Sequence, residues 1–253
     1  MGVAVKQIYD YLNEIAPFDT QESWDNSGLL VGDASCNVSR AVVCLDVTNY
    51  TMEKALDFGA DLLISHHPAI WEPLKWMKFG TPVSKAVRNG MHIISAHTNW
   101  DFAEGGVNDV LAQTLGLAEI GPINECGEMA MLRAGVLDTS MTAGAFAKIV
   151  ADKLNTVVRI SDPDKTVKKI AVCGGSGASF LPMLVGTDID AFVTGDAKHN
   201  DFLDARDIDI SLIAAGHYET ETISMPVLME MLQDKFPEVV FEYVESAPVS
   251  YIS

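Results

Sequence analysis

The chain has 253 residues, 48% hydrophobic and 21% charged, which is globular composition long enough for one large domain or two smaller ones and excludes a disordered or fibrous chain. Seventeen basic against thirty-five acidic residues give a net charge of −18, the wrong sign for a protein whose main ligand is a polyphosphate backbone, so a nucleic-acid partner is not expected. The apolar runs are too short to span a bilayer and the N-terminus lacks the layout of a signal peptide, so no membrane partner and a cytoplasmic location are expected.

Ile8, Tyr11, Leu12 and Ile15 recur at helical spacing until Pro17 stops the pattern. Strand-like and helical stretches then alternate: a strand 41–45, a helix 49–58, a strand 61–65, a helix near 83–89, a strand 92–96 and a helix near 106–115. Gly121, Pro122 and Gly127 punctuate a boundary. A second set follows, with strands 129–136, 156–160, 169–173, 191–194 and 211–215 and helices 142–154 and 180–185. A last helix, 222–233, leads to a strand 239–244 that has the option of returning to the first half. The expected fold class is α/β, with two α/β halves, 1–124 and 125–253, mixed sheets flanked by helices and a metal site in the cleft between them.

Five of the six histidines, His66, His67, His97, His199 and His217, come just after an expected strand, and His92 lies inside one. Open α/β sheets place ligands at the carboxyl ends of strands. Neighbouring residues of an extended chain point apart, so His66 and His67 before Pro68 suit two ions a few ångströms apart better than one ion. Asp101 offers two oxygens and is the candidate bridge, while His97 has three open roles: binding metal, orienting a ligand or meeting substrate. His217 and Glu221 stand four apart and share a face if a helix begins at Gly216, whereas Glu219 faces elsewhere. Together His66, His67, Asp101, His217 and Glu221 form a nitrogen-and-oxygen set without sulfur, which suits Zn, Fe, Mn, Co or Ni. The four cysteines form no CxxC pair, and Cys44 and Cys173 fall in apolar runs that fit core packing.

These motifs resemble the GTP cyclohydrolase I type 2, or Nif-three-like (NGG-one-interacting factor), family over nearly the whole chain. The resemblance is carried in order by Trp24-Asp25-Asn26-Ser27-Gly28-Leu29, Ser65-His66-His67-Pro68, His97-Thr98-Asn99-Trp100-Asp101, Gly105-Gly106-Val107-Asn108-Asp109, Gly174-Gly175-Ser176-Gly177, Thr194-Gly195-Asp196 and Gly216-His217-Tyr218 with Glu221. It implies a dinuclear centre with the same five ligands, two divalent transition-metal ions and a homohexamer. Trp100 departs from the family's usual aliphatic residue, which implies a changed pocket size or stacking character, and Asp196 stands where glutamate is common.

Two metals bridged by a carboxylate suit hydrolysis, and the family name points to GTP or a related nucleotide as the small-molecule substrate. On that reading His97 and Glu221 serve catalysis, while Trp100, Gly175, Ser176 and Asp196 face the substrate. The Gly174–Ser179 turn has two readings, a phosphate cradle and a merely tight turn. Two other function classes compete with the hydrolase: a non-catalytic protein that binds and delivers metal, and a regulatory interaction module.

Overall fold

The structure, a computed structural model, describes residues 2–123 and 131–250. The chain forms two compact units, Met1–Glu104 with Ser224–Ala247, and Gly105–Ile223 with Pro248–Ser253. The expected cut between 124 and 125 and Cys126 lie outside the described residues; the units themselves part at 104/105 and again at 223/224.

In the first unit, a sheet runs in spatial order Val240–Tyr243, Arg40–Cys44, Leu62–Ser65, His92–Ser95 and Gly28–Val31. The first four strands are parallel and Gly28–Val31 is antiparallel, so the sheet is mixed. Parallel strands need crossovers, and helices Asn49–Phe58 and Pro82–Asn89 provide them. Their ends are written locally. Thr48 and Thr81 accept from the backbone N–H of Thr51 and Ser84, and Gly59 and Gly90 close the helices in the left-handed conformation. One core of this unit joins Val42, Met52, Leu63 and Ile93, each fully buried, which contributes roughly 1.5–3 kcal/mol per such side chain relative to exposure.

Register decides where the chemistry falls. Ser65 pairs with Ser95, so His66, His67 and His97 leave the sheet side by side at one carboxyl edge.

The second unit holds a sheet in the order Ala118–Pro122, Arg133–Thr142, Thr166–Cys173, Ala191–Thr194, Ser211–Ala214 and Arg159–Ile160. Its three central strands, Thr166–Cys173, Ala191–Thr194 and Ser211–Ala214, are parallel and the outer ones antiparallel. Phe146, Val150, Ile170, Val193 and Ile213 are wholly buried in its core. Cys173 pairs with Thr194 and Thr194 with Ala214, so the Gly174, Gly195 and Gly216 turns also emerge together.

Most expected elements lie within a few residues of their observed bounds. The differences are physical. The expected helix 180–185 is a 3-10 helix, Gly177–Leu184, because Pro182 sits inside it. Helix His199–Asp207 went unforeseen because HNDFLDARD buries only Ala205 and carries no apolar stripe. No helix among the described residues is long and apolar enough to cross a membrane.

Candidate metal centre

In the first unit the backbone bends after Ser65, and the rings of His66 and His67 come to 5.0 Å of each other instead of diverging as extended neighbours would. His97 joins them, with ring centroids 5.0 Å from His66 and 5.4 Å from His67. Each residue can offer one ligand atom, and the three atoms lie within 4.8 Å of one another.

The hydrogen bonds behind these rings select their tautomer. His66 Nδ1 lies 3.0 Å from the Ala96 carbonyl, His67 Nδ1 lies 2.7 Å from Asp46 Oδ1, and His97 Nδ1 lies 3.0 Å from Asp25 Oδ1. A carbonyl or carboxylate oxygen only accepts, so each Nδ1 carries a proton, and the tautomer this selects has its lone pair on Nε2. That is the arrangement metal-ligating histidines adopt, with an outer oxygen setting tautomer and orientation. His92 is wired the other way: its Nδ1 accepts from the Asp33 N–H at 3.1 Å.

Asp101 sits on the short helix Thr98–Phe102 that starts immediately after His97, and its Oδ1 lies 3.7 Å from His66 Nε2. Nitrogen donors and a carboxylate are thus gathered on the edge of one sheet.

Asp25 is the anchor of this edge, and its side chain is closed to solvent. Oδ1 accepts from the Asn26 N–H at 2.7 Å and from His97, while Oδ2 accepts from the Thr98 N–H at 3.1 Å, the Thr98 hydroxyl at 2.6 Å and the Ser27 hydroxyl at 3.0 Å. Burial pushes the carboxyl's pKa up, but the hydrogen bonds from His97 and Thr98 outweigh it and hold Asp25 well below the usual carboxylate range.

The second unit carries its own pair. Gly216, at φ +90°, turns the chain into helix His217–Glu221, which puts His217 Nε2 3.1 Å from Glu221 Oε2. His217 Nδ1 meets Asp196 Oδ2 at 2.7 Å, so this ring too presents Nε2. Gly175 makes room for Glu221: a Cβ there would lie 2.0 Å from Glu221 Oε1, and its φ of +58° already favours glycine.

Of the residues expected to face substrate, Trp100 and Gly175 are buried, and Ser176 and Asp196 are exposed. Trp100 is wholly buried, its ring N–H 3.4 Å from the Ser224 hydroxyl, so it packs the core and offers no stacking surface. The backbone N–H groups of Gly174, Gly175 and Gly177 donate to Asn108 Oδ1, Thr220 Oγ1 and Thr194 Oγ1, so these three are already engaged within the protein. Ser176 donates its hydroxyl at 3.1 Å to Asp196 Oδ2, the same oxygen that meets His217 Nδ1. His199 begins a helix and is exposed.

Asp25 and Asp46, the partners of His97 and His67, were not foreseen, since they lie 72 and 21 residues away from them. Two exposed tryptophans, Trp24 and Trp71, also border His97, with ring centroids 5.8 Å and 5.2 Å from it.

Fold and donor groups together define a two-unit α/β protein whose strand ends carry histidine and carboxylate groups that can hold a metal ion. The model of the family Duf34/NIF3 (NGG1p interacting factor 3) matches residues 3–248, and the chain belongs to that family. It is 35% identical over 231 residues to a protein of Nostoc sp. named GTP cyclohydrolase 1 type 2 homolog, covering 84% of this chain and 88% of the relative. A protein of Campylobacter jejuni with the same name is 31% identical, with 98% and 99% covered. Among solved structures, Staphylococcus aureus protein SA1388 superposes with a TM-score of 0.91 at 28% identity over 99% of both chains.

Proposed function

We propose that the protein is a metal-dependent hydrolase of GTP or a related nucleotide, with two divalent transition-metal ions held by His66, His67, Asp101, His217 and Glu221. The observation that carries the reading is the shared wiring of four imidazoles. His66, His67, His97 and His217 each have Nδ1 against a carbonyl or carboxylate oxygen, which directs an Nε2 lone pair outward beside a carboxylate or another imidazole. A donor set of nitrogen and oxygen fits a borderline transition metal and does not suit Ca or Mg.

Bound there, such ions would supply Lewis acidity and lower the pKa of water. The chain's own residues do the rest. Asp46 and Asp196 orient His67 and His217, and Gly175 lets Glu221 approach. His97, backed by the buried Asp25 carboxylate, moves the proton: Asp25 stabilises the imidazolium that forms when Nε2 takes one. His97 is also the ring bordered by both exposed indoles, where an aromatic substrate would enter. With GTP the reaction is hydrolysis at C8 of guanine, one water opening the imidazole ring and a second releasing formate.

The test is formate release from GTP by protein carrying its metals, beside the Glu221→Gln variant. The hydrolase reading expects turnover that Glu221→Gln abolishes. Full metal occupancy without turnover on a nucleotide panel overturns it in favour of metal delivery.

A further inference from the structure

Trp71 and Trp24 are 49% and 61% exposed, although indoles are among the side chains that gain most from burial. Both meet the same imidazole edge to face: His97 makes an interplanar angle of 87° with Trp71 and 70° with Trp24. The loops that carry them are fastened together, since the Asn26 side-chain amide donates to the Ile70 carbonyl at 2.6 Å. Their placement is therefore built before any ligand arrives, which removes an ordering cost from binding.

Trp71 also lines a cavity of about 820 Å³ together with Val47, Leu74, Lys75, Trp76 and Lys78. That is the size range of small-molecule sites. Residues 71–81 contain two lysines and one glutamate, a positive stretch in a chain of net charge −18. Two exposed indoles beside a donor cluster, with cations further along the cavity that Trp71 lines, are complementary to one kind of ligand.

We propose that Trp71 and Trp24 form a stacking subsite for the planar heteroaromatic ring of an anionic small molecule, whose charge lies toward Lys75 and Lys78. Stacking reads a π-face and not a pattern of donors, so the subsite tolerates different bases. It deepens the hydrolase reading by naming where the ring sits, and it is measured without turnover.

The experiment is calorimetric titration of the full-length protein with guanosine, adenosine, GTP and inorganic triphosphate, with metal content and oligomeric mass recorded for every variant. Both nucleosides should bind, and GTP more tightly. Trp71→Ala should weaken guanosine, adenosine and GTP by about ten-fold and leave inorganic triphosphate unchanged, while Trp71→Phe keeps most of the affinity. Replacing Lys75 and Lys78 by Ala should weaken GTP and triphosphate, more so at low salt, and spare the nucleosides. Wild-type protein that binds neither nucleoside overturns the proposal. So does nucleoside affinity that survives both Trp71→Ala and Trp24→Ala, and so does a Trp71→Ala variant whose only change is oligomeric mass, which would make the indole a contact with a second copy of the chain. Because metal content is read separately, a metal-free protein that still loses nucleosides on Trp71→Ala sinks the hydrolase reading alone.

Discussion

Asp25→Asn changes one atom of a buried carboxylate, and the hydrogen bonds around it decide what that costs. Each carboxylate oxygen accepts one backbone N–H, that of Asn26 on Oδ1 and that of Thr98 on Oδ2. A backbone N–H cannot reverse its role, so whichever way the new amide is turned, its NH2 group faces one of these donors. Stranding a buried donor costs about 1–3 kcal/mol, and losing the charge weakens the remaining bonds, so the substitution should destabilise the first unit by about 2–4 kcal/mol. At the urea dependence usual for small domains, the unfolding midpoint should fall by roughly 1–2 M. The pH dependence follows from the depressed pKa. The carboxylate's contribution is present above the ordinary value of 3.8 and fades as pH falls through that value toward the lower folded one. The wild-type margin over Asp25→Asn should therefore be full at pH 7 and shrink below about pH 4. An equal urea midpoint for the two proteins at pH 7 would show that the amide strands no buried donor.

Four further substitutions test the donor groups. Gly175→Ala places a methyl group where Glu221 Oε1 lies and forces an L-residue to φ +58°, so it should cost about 1–3 kcal/mol in unfolding free energy. It should also weaken metal binding by about 10–100-fold in a chelator competition, whereas unchanged affinity would show that Glu221 holds no metal. Asp101→Asn keeps size and removes a charge, so it should empty one or both metal positions with the circular dichroism spectrum intact, while His66→Ala or His67→Ala alone should lose roughly one ion. A folded Asp101→Asn protein with two tightly held ions would contradict the bridging role.

The α/β elements were legible wherever an apolar run met a turn signal, as at helix Asn49–Phe58 between its Thr48 cap and Gly59. What sequence patterning hides is long-range. The antiparallel strand Gly28–Val31 pairs with a strand more than sixty residues on and breaks its own alternation by a register shift between Leu29 and Val31. At the site, the histidines stood out because they follow strands, but their partners did not, because Asp25 and Asp46 reach His97 and His67 only through the sheet register. Trp100 misled for a related reason. It lies next to Asp101 in sequence, yet the short helix Thr98–Phe102 carries it into the core, with its ring N–H toward the Ser224 hydroxyl. The Gly174–Ser179 turn kept two readings for the same reason, since the acceptors of its Gly174, Gly175 and Gly177 N–H groups, Asn108, Thr220 and Thr194, are distant in sequence.

On the proposed function these wired imidazoles and carboxylates hold metal. Elemental analysis by plasma mass spectrometry, on protein purified without chelator or affinity-tag metal and then equilibrated with excess Zn, Fe, Mn, Co or Ni, tests it most directly. Five nitrogen and oxygen ligands exceed what one catalytic ion with an open position takes, so the expected stoichiometry is about two ions per chain. A value that stays at zero under every metal would contradict the metal centre, and a value that saturates at one would contradict its dinuclear form.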